Sequence, residues 1–169
     1  ILRMLSETTD FLDVLVKRTL AAMEAGPPPH VDIVTGIELP KSDSPWLQPV
    51  YDDTEFIVRN VIRYYGGWWS GRPSELKPAS RGKLAGEIAA LCGGARALAD
   101  RAEALAAAGE FRLACHLADY ALEAEPSDTE VQNKVAAIYE SRAGAEESLM
   151  TINIFNSAAA YARAGRSFA

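Results

Sequence analysis

The sequence predicts an all-α fold, a helical bundle with an extended N-terminal arm. Three observations carry this expectation. Apolar residues recur at three- and four-residue steps through most of the chain. Glycines and prolines fall at the ends of those periodic stretches. The one β-favouring stretch, around Ile33, Val34 and Ile37, is interrupted by Pro40, Pro45 and Pro49, which favours an arm laid on another surface over a sheet.

The first helix is expected from Glu7 to Ala25. Ser6 is its candidate N-cap, and Glu7 and Asp10 place negative charge in the first turn, where the helix dipole favours it. Phe11, Leu12, Leu15, Thr19 and Ala22 form its apolar face. Gly26 can take a left-handed cap, and Pro27, Pro28 and Pro29 forbid continuation. From His30 to Pro49 the chain reads as extended. About 20 residues without regular structure are unusual inside a compact domain, so a linker or a wrap around a partner is expected.

The next helix spans roughly Asp53 to Tyr65 and is apolar nearly all round. Phe56, Ile57, Val61, Tyr64 and Tyr65 fill one broad face, and Val58, Ile62 and Tyr65 a second. Only Glu55, Arg59, Asn60 and Arg63 are left for solvent. Such a helix needs cover on more than one side, and a second subunit is a natural source of it. Gly66 and Gly67 end the helix, and Trp68 and Trp69 follow. Paired tryptophans fit either an interface centre or an aromatic core within one subunit.

Five further helices are expected. They run from about Arg81 to Leu91, from Ala95 to Ala108, from Phe111 to Ala124, from near Asp128, and from about Glu146 to Arg163. Their inward positions are Leu98, Ala102 and Leu105, then Phe111, Ala114, Ala118 and Ala121, then Val131, Val135 and Ile138, then Leu149, Ile152, Phe155 and Ala159. Short loops imply antiparallel neighbours. Between Ala95 and Tyr139, the spacing of Ala102, Gly109, Ala114, Ala121 and Pro126 resembles a tetratricopeptide hairpin. Little more than one copy is present, where three or more normally stack.

The totals limit the functional classes. A chain of 169 residues can bury roughly 70% of its unfolded surface. With 23 acidic and 17 basic residues, the formal charge is −6, which disfavours nucleic acid as a partner. No apolar run approaches the roughly 20 residues of a membrane span. Cys92 and Cys115 do not form a CxxC pair and read as small buried apolar residues, a redox pair being the alternative. Ile1 rather than Met opens the chain, which is expected of a cut or processed segment whose missing upstream part carries the chemistry.

Catalytic patterns are absent. His30 and His116 are not in HxH or HExxH spacing, and Cys115 and Asp119 beside His116 do not make a convergent zinc set. Asp52, Asp53 and Glu55 read as helix-capping carboxylates. The glycines from Gly66 to Gly71 lack the Gly-Lys-Ser/Thr ending of a phosphate loop. Arg59, Arg63 and Arg72 are candidate anion contacts, with pairing to Glu55 or Glu75 as the alternative.

The segment Tyr51 to Pro78, YDDTEFIVRNVIRYYGGWWSGRPSELKP, resembles the dimerisation domain of the alkyl sulfatases, members of the metallo-β-lactamase superfamily. The matching residues are Arg59, Tyr65, Gly67, Trp68, Trp69, Gly71, Pro73, Leu76 and Pro78. The likeness extends back to Ile37-Glu38-Leu39-Pro40. It extends forward through Gly93-Gly94, Ala102, Gly109, Ala114, Leu117 and Pro126 to Asn153, Ala159 and Arg163. Three positions depart from the family pattern. Phe56 stands where a His is expected and Trp68 where a Tyr is, both near the sulfate, and Ile152 stands where an Arg is expected. These departures leave open whether the parent's substrate is a sulfate or another ester.

The resemblance implies a parent with an N-terminal metallo-β-lactamase domain that holds two zinc ions through an HxHxDH motif, often followed by a sterol-carrier-like domain. The zinc ligands are not in this chain, so no cofactor is expected here and hydrolysis belongs to the catalytic domain. The helical domain would intertwine two subunits. On this reading residues 1–49 are an N-terminal helix and extended linker arm leaving the catalytic domain, and residues 50–169 are a helical dimerisation domain. The expected partners are a second copy and the parent's catalytic domain. The expected interface is Phe56, Ile57, Val61, Tyr64, Tyr65, Trp68 and Trp69. The alternative is a tetratricopeptide-like adapter that binds a peptide or protein partner. An independent enzyme is the weakest reading.

Overall fold

Tertiary packing, rather than local propensity alone, decides where the helices of this chain begin and end. The computed structural model describes residues 1–26 and 30–168, the side chains of His30 and Val31 excepted. The expected break at Pro27, Pro28 and Pro29 lies outside the described residues. Among the described residues there are eight α-helices and no strand. They are α1 (Leu2–Glu24), α2 (His30–Gly36), α3 (Thr54–Gly66), α4 (Arg81–Cys92), α5 (Ala95–Ala107), α6 (Phe111–Ala124), α7 (Thr129–Gly144) and α8 (Leu149–Arg163). The all-α class is as the sequence predicts. The chain divides into two compact units, Ile1–Pro78 and Ala79–Ala169.

In the first unit α1, α2 and α3 pack on one another. Leu15, Ile33, Val34, Val58 and Ile62 are buried together, and Phe11, Ala22, Met23, Ile37, Leu39 and Ile57 close over them. Thr19 is buried because its hydroxyl has a local partner, donating to the Leu15 carbonyl at 2.7 Å. Helix α1 starts at Leu2, so Ser6 is not its cap. Leu12, expected inside, is exposed.

The stretch read as extended also differs. Residues 30–36 form a helix, and regular structure is absent only from residues 37–53. A seven-residue helix is marginal alone. Here its β-favouring residues are overruled, because helical spacing puts Ile33 and Val34 into the core and Ile37 against it. Arg18 helps hold the following turn, its guanidinium donating to the Glu38 carbonyl at 2.5 Å.

The second unit is built on small side chains. Ala99, Ala102, Ala114, Ala118, Ala121, Ala136 and Ala162 are fully buried, with Leu98, Leu122, Val131, Val135 and Ile138 between them. Helix α5 packs chiefly on α6 and α7 on α8, and α6 also meets α4 and α7. Alanine leaves the facing backbones close, so each helix position is set by contact over its whole length.

Helix ends follow the chemistry of the sequence. Gly93 ends α4 with φ 89° in the left-handed region, where a Cβ is unfavourable. Asp128 caps α7, accepting from the Glu130 and Val131 amides at 2.9 and 3.4 Å, and receives the Arg96 guanidinium from α5 at 2.7 Å. Lys134 reaches Asp100 and Glu130. Gly165 has no room for a side chain, because a Cβ there would lie 2.5 Å from the Pro126 carbonyl oxygen.

Three more expectations need correction. Leu149 is exposed, since Ser148 caps α8 and the register turns Thr151, Ala158, Ala159 and Ala162 inward. Cys92 is exposed at the last position of α4, and Cys115 is half-buried; both are free thiols. Phe111 and Phe155 are half-buried rather than enclosed, and both contact the Arg142 guanidinium, each ring centroid 5.5 Å away.

Two outcomes are expected. Leu98→Ala, at a position 3% exposed, should lower unfolding free energy by roughly 2–5 kcal/mol in urea titration. Leu91→Ala, at a position 87% exposed, should change it by less than about 0.5 kcal/mol. The second outcome concerns pH. The Arg96 guanidinium, with the Val131 and Glu130 amides, holds the Asp128 carboxyl below the usual carboxylate range. A depressed folded value means the stabilisation is complete above the unfolded value of about 4 and disappears as pH falls through the folded one. Asp128→Asn keeps a capping oxygen without charge. It should be less stable than the native chain at pH 7 and converge with it near pH 2 in denaturant titrations.

Candidate association surface

Helix α3 begins where Asp53 accepts the Glu55 amide at 2.8 Å, so this carboxylate serves the helix end as expected. From that start the helical repeat sorts the apolar residues. Val58 and Ile62, four apart, turn fully inward to meet Leu15, Ile33 and Val34. Phe56, Ile57 and Val61 flank them and are half-buried. Tyr64 and Tyr65 are 82% and 59% exposed, and Trp68 and Trp69 beyond the helix are 75% and 41% exposed. The seven expected interface residues therefore divide into three that edge the core and four aromatics in solvent. The aromatic-core alternative for the tryptophans does not hold within this unit.

Local geometry displays these rings. Tyr64 and Tyr65 meet edge to face with centroids 4.9 Å apart. Gly67 turns the chain with φ 81°, which ends the helix before Trp68. The Trp69 indole N–H donates to the Arg72 carbonyl at 3.1 Å, and Pro73–Glu75 form a short 3-10 turn. Residue-by-residue periodicity did not single out further exposed apolar groups in the same unit, among them Trp46, Val50, Tyr51 and Leu76. Tyr51 and Leu76 bracket the recognisable motif, which was the available signal.

The candidate anion contacts do not share one environment. Arg72 lies 3.9 Å from Glu75, the pairing named as the alternative. Arg59 and Arg63 are exposed, one turn apart on α3. Among the described residues no group of three or more His, Cys, Asp and Glu could hold a metal ion, and no helix is long and apolar enough to cross a membrane. The titrations displaced by burial lie in the second unit. Burial pushes the Cys115 thiol up to about 11, so it stays protonated and unreactive at neutral pH. Burial, with Asp119 beside it, also raises the Tyr139 phenol. In the first unit the arrangement offers aromatic surface and two cationic side chains, the chemistry of binding.

Comparison with known proteins agrees with this character. Residues 30–165 match the family described as alkyl sulfatase dimerisation. A linear primary-alkylsulfatase from a Pseudomonas species is 28% identical over 124 residues, which cover 72% of this chain and 23% of that protein. Among solved structures, a double mutant of the sec-alkyl sulfatase PisA1 superposes with a TM-score of 0.85. It is 22% identical, with 95% of this chain and 26% of that one covered. The stereoselective inverting sec-alkylsulfatase Pisa1 from Pseudomonas sp. gives a TM-score of 0.80 at 23% identity, with 89% and 24% covered. At those identities the structural likeness establishes the fold. The chain spans about a quarter of the length of these relatives, and α1 precedes the matched residues. Matched over residues 30–165 of 169, the chain belongs to the alkyl sulfatase dimerisation family.

Proposed function

We propose that this chain is the homodimer-forming module of a longer alkyl sulfatase-like hydrolase, and that α3 with the Gly-Trp-Trp segment after it is the surface that meets the second copy. The observation that supports this most is the exposure of Tyr64, Tyr65, Trp68 and Trp69 on consecutive stretches of chain. A free surface rarely gathers aromatic residues, whereas the buried centres of interfaces are enriched in them. Family membership supports self-association as the use of that surface. The alkylsulfatase relatives, more than three times as long, support a hydrolase as the parent and a sulfate ester as its substrate. Another ester stays compatible with Phe56 and Trp68 at their positions.

The parent's catalytic domain is the second proposed partner. Arg59 and Arg63 are the side chains we assign to an anionic group presented there. We assign the zinc ions implied for the parent to that domain. The tetratricopeptide adapter reading gains nothing from the matched family or the relatives.

Light scattering over a dilution series should give about twice 18.2 kDa, persisting to low micromolar concentration. Tyr64→Ala with Trp68→Ala removes the two most exposed rings and no core contact. It should leave the circular dichroism unchanged and raise the dimer dissociation constant at least about 100-fold. A folded double variant that dimerises as tightly as the native chain would refute the assignment of this surface.

A further inference from the structure

The second unit has a cleft unrelated to the aromatic surface of α3. It is lined by Asp119 and Leu122 of α6, Tyr139 of α7, Ile154, Phe155 and Ala158 of α8, and Ser167 and Phe168 beyond α8. Its volume is about 180 Å³. A dry cavity of roughly 150 Å³ is known to accept benzene, so this one is of single-ring size. Most of its wall is apolar, and three of its side chains, Tyr139, Phe155 and Phe168, are aromatic. Tyr139 stacks on Phe155 with centroids 5.9 Å apart, and Phe168 meets Tyr161 edge to face at 5.3 Å, so all three rings are held in place.

One carboxylate lines this wall. The Tyr139 hydroxyl donates to Asp119 Oδ1, which fixes the carboxyl. Asp119 as a whole is solvent-exposed, yet its carboxyl stands against the apolar wall, and that desolvation raises its pKa against the pull of the Tyr139 hydrogen bond. The charged neighbours are mixed in sign. His116 and Arg81 pull the Asp119 pKa down, but Arg81 is also drawn to Glu123, 3.9 Å away, and Glu123 is a second carboxylate one turn along α6. A small apolar cleft with one oriented carboxylate and aromatic walls has the chemistry of ammonium recognition.

We propose that this cleft is a binding site for a small arylalkyl- or alkylammonium ion, with the ammonium on Asp119 and the apolar part among Leu122, Ile154, Phe155 and Phe168. The charge complementarity selects a cation over a neutral molecule of the same shape. The volume selects one ring or a short chain. The site belongs to α6–α8 and stands whether or not α3 forms a dimer interface.

Benzylammonium is the probe, titrated into the 169-residue chain at pH 7.5 and followed by amide shifts in NMR. Saturable binding with a dissociation constant on the order of 1 mM is expected, with shifts confined to α6, α7 and α8. Benzyl alcohol, which has the ring without the charge, should bind at least about tenfold more weakly. Asp119→Asn still offers Tyr139 an acceptor and should retain the fold, while weakening benzylammonium at least about tenfold. Ile154→Trp, at the open rim, should block binding without touching the carboxylate. Equal binding of alcohol and ammonium, undiminished binding by either folded variant, or shifts that do not saturate would each overturn the proposal.

Discussion

Helix α3 carries more apolar surface than its own unit can cover, and the organisation of that unit follows from this. Only one narrow strip, Val58 and Ile62, fits against α1 and α2. The geometry of the α-helix then forces the remaining apolar residues outward, because positions between the four-residue steps point elsewhere. Tyr64 and Tyr65 lie beyond the reach of α1, and Gly67 turns Trp68 and Trp69 off the helix. The unit has no element left to bury them. An apolar stripe wider than its seam is stable in water only at a cost in exposed hydrocarbon, which a second surface removes on contact.

The second unit solves the same packing problem in the opposite way. Its contact faces are mostly alanine, so little apolar area is contributed per residue, but the helices approach closely and those alanines are fully buried, while larger apolar residues such as Leu91 and Leu113 stay outside the contacts. Stability there depends on fit, and polar groups hold the register. Asp128 joins the start of α7 to Arg96 of α5, and Gly165 lets the chain beyond α8 lie against the Pro126 carbonyl. The α3 unit is suited to association because its surplus is aromatic and mobile partners can cover it. The α5–α6 contact is instead filled by small buried side chains, and its exposed apolar residues, such as Leu113, are aliphatic and scattered.

The difference also explains what the sequence revealed. Helix α6 runs from Phe111 to Ala124, the limits read from periodicity, because Gly109 and Pro126 punctuate it and its alanine stripe is continuous. Helix α2 was illegible: Ile33, Val34 and Ile37 favour strands in isolation, and only the cores of α1 and α3 make a seven-residue helix worthwhile. Leu149 and Cys92 failed for a shared reason. Each sits at a helix end, where periodicity continues on paper while the partner helix has already stopped. At the candidate association surface, Tyr64, Tyr65, Trp68 and Trp69, expected at an interface, are exposed, too many rings for one core. Which of the seven would edge that core depended on the angle at which α3 meets α1, and no local pattern encodes it.

The charged groups complete the separation of roles. Buried ionisable side chains in the second unit are held in their neutral or paired forms: Cys115 by desolvation, Tyr139 by desolvation beside Asp119. A thiol pushed up to about 11 and a raised phenol oppose nucleophilic use, which requires the reverse shift. Asp119 is the exception, a carboxylate oriented by Tyr139 and left in contact with solvent beside an apolar wall. A carboxylate so placed gains from a cation brought to it. Asp119 in α6–α8 and the exposed rings after α3 are thus the two places where we propose that a second molecule is held.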